Sequence, residues 1–138
     1  MPNQKQHAIL FADEPEPELQ ALTHHFSIEG HEAWLVVVVD SAQNVKEIGL
    51  VFGREGSFVA GLAEGISKIV TLALQHGVSL QVIIAEFKGM CFEPSGMVTN
   101  KGEMGEIFAV VPPAIPTAQS VLDYIARWLE VRFVHNQE

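Results

Sequence analysis

Cysteine is almost missing from this chain: Cys91 is the one instance in 138 residues. An internal disulfide, a CxxC redox pair and a thiolate zinc cage are therefore excluded within one chain. Positive charge is scarce too. Eight Lys and Arg stand against 17 Asp and Glu, a formal charge of −9. That balance argues against non-specific nucleic-acid binding, because phosphate contacts need clustered basic side chains. No apolar run approaches the length of a membrane span; Trp34-Leu35-Val36-Val37-Val38-Val39 has strand length and meets Asp40 directly. The N-terminus has neither a basic n-region nor a long apolar h-region, so no membrane or secretory role is expected and the location is expected to be cytoplasmic. The HExxH, P-loop and GxGxxG patterns are missing as well.

What remains is enough for one folded unit. The hydrophobic fraction of 48% fills a single core at this length. Much of the acidic excess sits in Asp13-Glu14-Pro15-Glu16-Pro17-Glu18. Residues 1–18 thus read as an extended, solvated leader, with an acidic arm docking on a basic partner as the alternative. Residues 19–138 read as a single domain.

The first half of that domain has β character. Leu22 to Ile28 alternates loosely, Glu29-Gly30 makes a turn, and His31 to Val39 reads as a strand buried on both faces. Turn formers over 40–44 lead to a third strand, Lys46 to Phe52. The period then changes to helical after Gly53-Arg54-Glu55-Gly56. Ser57 is the expected N-cap, Phe58, Leu62, Ile66, Ile69, Val70 and Ala73 the apolar face, and Gly77 the stop. Gly61 and Gly65 inside this helix each cost roughly 1 kcal/mol against Ala, which predicts that something packs closely there. Ser79 caps a shorter helix ending at Gly89. The stretch 90–116 has no clear period, and its one strand-like piece is Ile107 to Val111. A last helix is expected from near Thr117, with Asp123 and Arg127 as a surface i,i+4 pair. The sum is an α+β fold, an antiparallel β-meander of about three strands with three helices packed on one face.

Few residues stand out chemically. His24 and His25 are adjacent in a strand, so they point to opposite faces and cannot share one metal in regular geometry. Cys91 has no base beside it in sequence and reads as a small apolar side chain. The turn at Arg54 leads into a helix N-terminus, which suits an anion, although it lacks the phosphate-binding glycine pattern. The loop Gly89-Met90-Cys91-Phe92-Glu93-Pro94-Ser95-Gly96 is dense in unusual residue types. Phe92, Glu93, Ser95 and Gly96 are accordingly the candidate ligand-binding residues. Arg54 and Arg127 are the candidate partners for an anionic group.

Several runs carry a resemblance. They are Gly56-Ser57-Phe58-Val59-Ala60-Gly61-Leu62, Ala73-Leu74-Gln75-His76-Gly77-Val78, the loop Phe92-Glu93-Pro94-Ser95-Gly96, and Ala118-Gln119-Ser120-Val121-Leu122-Asp123-Tyr124-Ile125 continuing to Leu129. Over roughly residues 20–133 the chain resembles the TSCPD domain found in adenosylcobalamin-dependent (class II) ribonucleotide reductases and as small separate proteins. The resemblance implies no catalytic residues here. Ribonucleotide reduction needs a thiyl radical and a dithiol, and one cysteine cannot fill three roles. The expectation is a stand-alone accessory or regulatory module in deoxyribonucleotide synthesis, binding a reductase catalytic subunit or a nucleotide-like ligand. Adenosylcobalamin is then implied only for the partner reductase. The alternative is a homo-oligomeric ligand-binding or interaction module outside that context.

Overall fold

Turn chemistry sets up the first hairpin. The structure, a computed structural model, describes residues 18–101, 107–108 and 115–134. Strands β1 (Gln20–Ile28) and β2 (His31–Val39) pair antiparallel with Ile28 opposite His31. The two residues between them, Glu29 and Gly30, have φ of 49° and 83°. Two consecutive left-handed residues match the twist of the flanking strands. Strand β3 (Val45–Phe52) follows a turn in which the Asp40 carboxylate accepts from the amides of Ala42 and Asn44, both at 2.9 Å. The expected acidic leader lies outside the described residues except for Glu18, which is exposed.

The sheet is larger than the sequence suggests. Strand β4 (Gly96–Lys101) pairs with β1, and β5 (Ile107–Phe108) pairs with β4, giving the order β3-β2-β1-β4-β5. Strand β6 (Thr117–Ala118) pairs with the start of β4. The aperiodic stretch 90–116 therefore contains a strand next to β1, and every pairing is antiparallel. Among the β4 side chains described, Val98 and Asn100 are the buried ones, and the second is polar, so hydrophobic alternation could not reveal the strand. The strand expected to reach Val111 pairs at Ile107–Phe108, and 109–111 lie outside the described residues.

β2 is not buried on both faces. Ala33, Leu35, Val37 and Val39 are fully buried, whereas Trp34 is exposed and Val36 and Val38 are half-buried. A β-branched run fits one buried face as well as two, because period-2 geometry is blind to what covers the second face. The inner face packs against α2 (Leu80–Phe87), through Ile83 and Ile84, and α3 (Val121–Leu129), through Tyr124, Ile125, Trp128 and Leu129. A π-helical turn, Glu130–Val134, extends α3 and buries Phe133.

α1 (Phe58–Gln75) closes the same side along the edge of β3. Its Ser67 and Thr71 hydroxyls accept the amides of Leu50 at 2.8 Å and Ile48 at 3.1 Å, and Thr71 also donates to the Ile48 carbonyl. An edge strand carries unpaired backbone groups, and here a helix satisfies some of them. The apolar face expected for α1 is only partly correct. Ala63 and Val70 are buried, while Phe58, Leu62 and Ile69 are exposed. α1 is apolar on two sides, so its sequence does not show which side meets the core. Neither Gly61 nor Gly65 has close company: a Cβ on either would meet nothing within 4 Å.

Candidate functional site

The last helix begins at Val121, not near Thr117, and that displacement builds the site. Thr117 and Ala118 are held as β6 against Met97 and Gly96, and the Ser120 hydroxyl accepts the Asp123 amide at 3.0 Å as the N-cap. Asp123 and Arg127 form the expected i,i+4 pair, but Asp123 is buried and not at the surface. Its two oxygens accept the Gly89 amide at 2.8 Å, the Gln119 amide at 2.9 Å and Arg127 Nη1 at 3.2 Å. Burial alone would raise its pKa. The Gln119 and Gly89 amides and the Arg127 guanidinium outweigh that and hold it below the usual carboxylate value.

Asp123 thus ties the end of α2 to the start of α3, with the distinctive loop between them. The Phe92 amide donates to the Gln119 carbonyl at 3.2 Å, and the Cys91 thiol to Gln119 Oε1 at 2.7 Å. At the far end of the loop, the Glu29 carboxylate accepts the Met97 amide at 2.7 Å. Gly96 has φ of +133°, and a Cβ there would lie 2.5 Å from a Glu29 carboxylate oxygen. Only glycine suits this position, for backbone and space alike.

Two clefts meet at this loop. The first, about 910 Å³, lies between the N-terminal half of α1, the end of β3 and the loop. Leu50, Ala63 and Leu122 line it, Val59, Leu62 and Phe92 stand at its mouth, and Arg54 and Glu93 contribute its charged groups together with Glu32. The second, about 780 Å³, is more polar and is lined by Lys88, Cys91, Ser95, Gln119 and Arg127. Arg54, Phe92 and Glu93 thus share the apolar cleft, while Phe92, Glu93, Ser95, Gly96 and Arg127 border the polar one. Neither of these two clefts gathers all six sequence candidates; Phe92 and Glu93 line both.

The candidate Arg127 and some other residues of the clefts have structural duties. Arg127 Nη1 donates to the Thr117 carbonyl at 2.8 Å as well as to Asp123, and Lys88 pairs with Glu130 at 2.7 Å. In the apolar cleft, Ser57 caps α1 by accepting the Ala60 amide. The apolar cleft thus sets an aliphatic and aromatic wall beside one cation, Arg54, and two carboxylates, Glu32 and Glu93. Sequence reasoning missed Asp123 and Glu29. The pattern Ser120-x-x-Asp123 before an apolar run is a capping signal that would have placed both the helix start and the buried carboxylate.

A polar network lies apart from the clefts. His24 Nε2 is 2.7 Å from the Tyr124 hydroxyl, which donates to Asn100 Oδ1 at 3.3 Å, and the imidazole stacks on Trp128 with centroids 4.7 Å apart. Burial, then the charges of Arg132 and His25, lower the His24 pKa to about 4. Burial pushes the Tyr124 hydroxyl up. His25 points the other way and stacks on Trp34. The two adjacent imidazoles face opposite sides of the sheet.

The chain is 36% identical over 119 residues to a vitamin B12-dependent ribonucleotide reductase of Rhodopirellula baltica, covering 86% of this chain and 10% of that protein. The corresponding reductase of Streptomyces avermitilis is 30% identical over 113 residues, covering 82% of this chain and 10% of the relative. That of Agrobacterium fabrum is 28% identical over 115 residues, covering 83% and 8%. The chain thus spans about a tenth of the length of these relatives. No solved structure matches it. The family model of the TSCPD domain matches residues 6–133, nearly the whole sequence, and the chain belongs to that family.

Proposed function

We propose that this domain is an accessory or regulatory module of ribonucleotide reduction, acting in the cytoplasm in deoxyribonucleotide synthesis. It binds a nucleotide-like ligand or a reductase catalytic subunit and carries no radical chemistry of its own. The observation that supports this most is the cleft of about 910 Å³ that gathers Phe92, Arg54 and Glu93 in a chain similar to part of vitamin B12-dependent reductases. A base would lie on the apolar wall by Phe92 and Leu62, an anionic group would meet Arg54, and Glu93 would accept from a sugar or base donor. The bulk of adenosylcobalamin exceeds the drug-sized ligands such a cleft buries, so that cofactor is assigned to the partner reductase.

A thermal-shift series with ribonucleotides and deoxyribonucleotides tests this. A nucleotide at a hundred times its dissociation constant should stabilise the domain by about 2.7 kcal/mol. Arg54→Ala should remove the shift without lowering the unliganded melting temperature. No shift with any nucleotide, together with no retention of a reductase catalytic subunit on immobilised domain, would sink the reading. A second reading, a homo-oligomeric module, is favoured by the uncovered apolar side of α1.

A further inference from the structure

α1 turns large apolar side chains away from its own core. Phe58 is 80% exposed, Ile69 66%, and Leu62 and Leu72 52% each. With about 100° per residue, these four lie within roughly 60° of Gly65, and the buried Ala63 and Val70 lie on the opposite side. Positions 58, 62, 65, 69 and 72 alternate steps of four and three, the spacing of a helix–helix seam. The helix is long and apolar enough to cross a membrane by length and composition, with mean hydropathy 1.3 over 18 residues. Its Ser67 and Thr71, however, are bonded to the backbone of β3, which fixes it as a surface element of this domain. Exposed apolar patches of this kind mark contact surfaces.

The pattern is self-complementary in one orientation. Set antiparallel about Gly65, Phe58 of one copy meets Leu72 of the other, Leu62 meets Ile69, and Ile69 also lies over Gly61, where a Cβ would find open space. The flanks agree. Glu64 and Lys68, both exposed and 3.5 Å apart within one helix, occupy one flank, and Val59 and Leu62 occupy the other. A two-fold axis perpendicular to antiparallel helices brings like flanks together. Glu64 then faces Lys68 of the second copy, and the apolar flanks adjoin. A parallel pair would set the charged flank against the apolar one.

We infer that the outward side of α1 is the seam of an antiparallel homodimer centred on Gly65, with the second copy as its occupant. This rests on the second reading above and specifies its geometry. Leu62 borders both seam and cleft, so dimerisation places the two apolar clefts on one side of the assembly.

The full chain is followed by sedimentation over a concentration series, with cross-linking of single cysteines in a Cys91→Ser background. A concentration-dependent dimer is expected, shifted at least tenfold toward monomer in Ile69→Glu with an unchanged circular dichroism spectrum. Gly65→Cys should form a disulfide with its own copy, whereas Leu72→Cys should not unless Phe58→Cys is supplied on the other chain. A dimer that persists in Ile69→Glu overturns this seam while leaving an oligomer through another surface. Self-cross-linking at Leu72→Cys overturns the antiparallel register. A monomer at all concentrations overturns the oligomeric reading itself. A monomer that binds a reductase catalytic subunit through Ile69 would replace the second copy by that partner.

Discussion

Asp123 holds three donors on two oxygens, from Gly89, Gln119 and Arg127. Two of these donors are backbone amides of residues that are themselves exposed, so water takes up part of what the carboxylate supplies. Asp123→Ala removes the acceptor of both, at a cost of roughly 1–3 kcal/mol in all. The melting temperature should drop by about 5–15 °C. Asp123→Asn keeps one acceptor and should fall between that variant and the parent. Equal melting temperatures for Asp123→Ala and the parent would remove this residue from its role. Glu29 and Gly96 are a second local lock: both have positive φ, Glu29 in the hairpin turn and Gly96 at the start of β4, where a side chain would meet the Glu29 carboxylate.

Among the elements, α1 depends on an unusual attachment. The Ser67 and Thr71 hydroxyls accept edge amides of β3, so helix and sheet are joined by hydrogen bonds as well as by Ala63 and Val70. Ser67→Ala with Thr71→Val keeps the shape and removes the acceptors. Hydrogen exchange at the amides of Ile48 and Leu50 should accelerate about 10-fold or more, equivalent to at least 1.4 kcal/mol of local opening. Exchange unchanged at both amides would show that packing alone holds the helix. Element boundaries show where sequence reading failed. Strands β1 to β3 and helices α1 and α2 were legible from periodicity, Ser57 and Ser79 caps and glycine stops. Strand β4 was not, because Asn100 occupies an inward position; it is buried beside Tyr124 and bonded to its hydroxyl. The onset of α3 was legible from Ser120 and Asp123, yet Pro116 suggested an earlier start.

The whole molecule should respond to acid in two stages. His24 is neutral in the fold down to about pH 4 but takes up a proton near 6.5 when unfolded. Stability is therefore complete above pH 6.5 and declines as pH falls from 6.5 toward 4. Asp123 has the opposite charge type. Its folded pKa is lowered, so its contribution is present above the ordinary carboxylate pKa and is lost as pH falls through the folded value. Asp40, lowered chiefly by the Asn44 amide, shares that second window. Melting temperatures measured from pH 7.5 to 3 should show both declines. His24→Phe should flatten the first, leaving the second in place; an unaltered slope between 6.5 and 4 would exclude His24 as its source.

By itself the sequence determined the α+β class, the meander, two of the helices with their caps, the family, and a loop distinctive enough to hold Phe92 and Glu93. These follow from short-range rules: side-chain period, capping chemistry and turn residues act within a few positions of each other. Tertiary structure alone decided which side of α1 faces the core, since both sides are apolar, and it alone brought Arg54 to the same cleft as Phe92 and Glu93. It also turned Asp123 from a surface charge into a buried acceptor of amides 34 and four residues away. Such pairings depend on where the chain returns in space, which local periodicity does not encode.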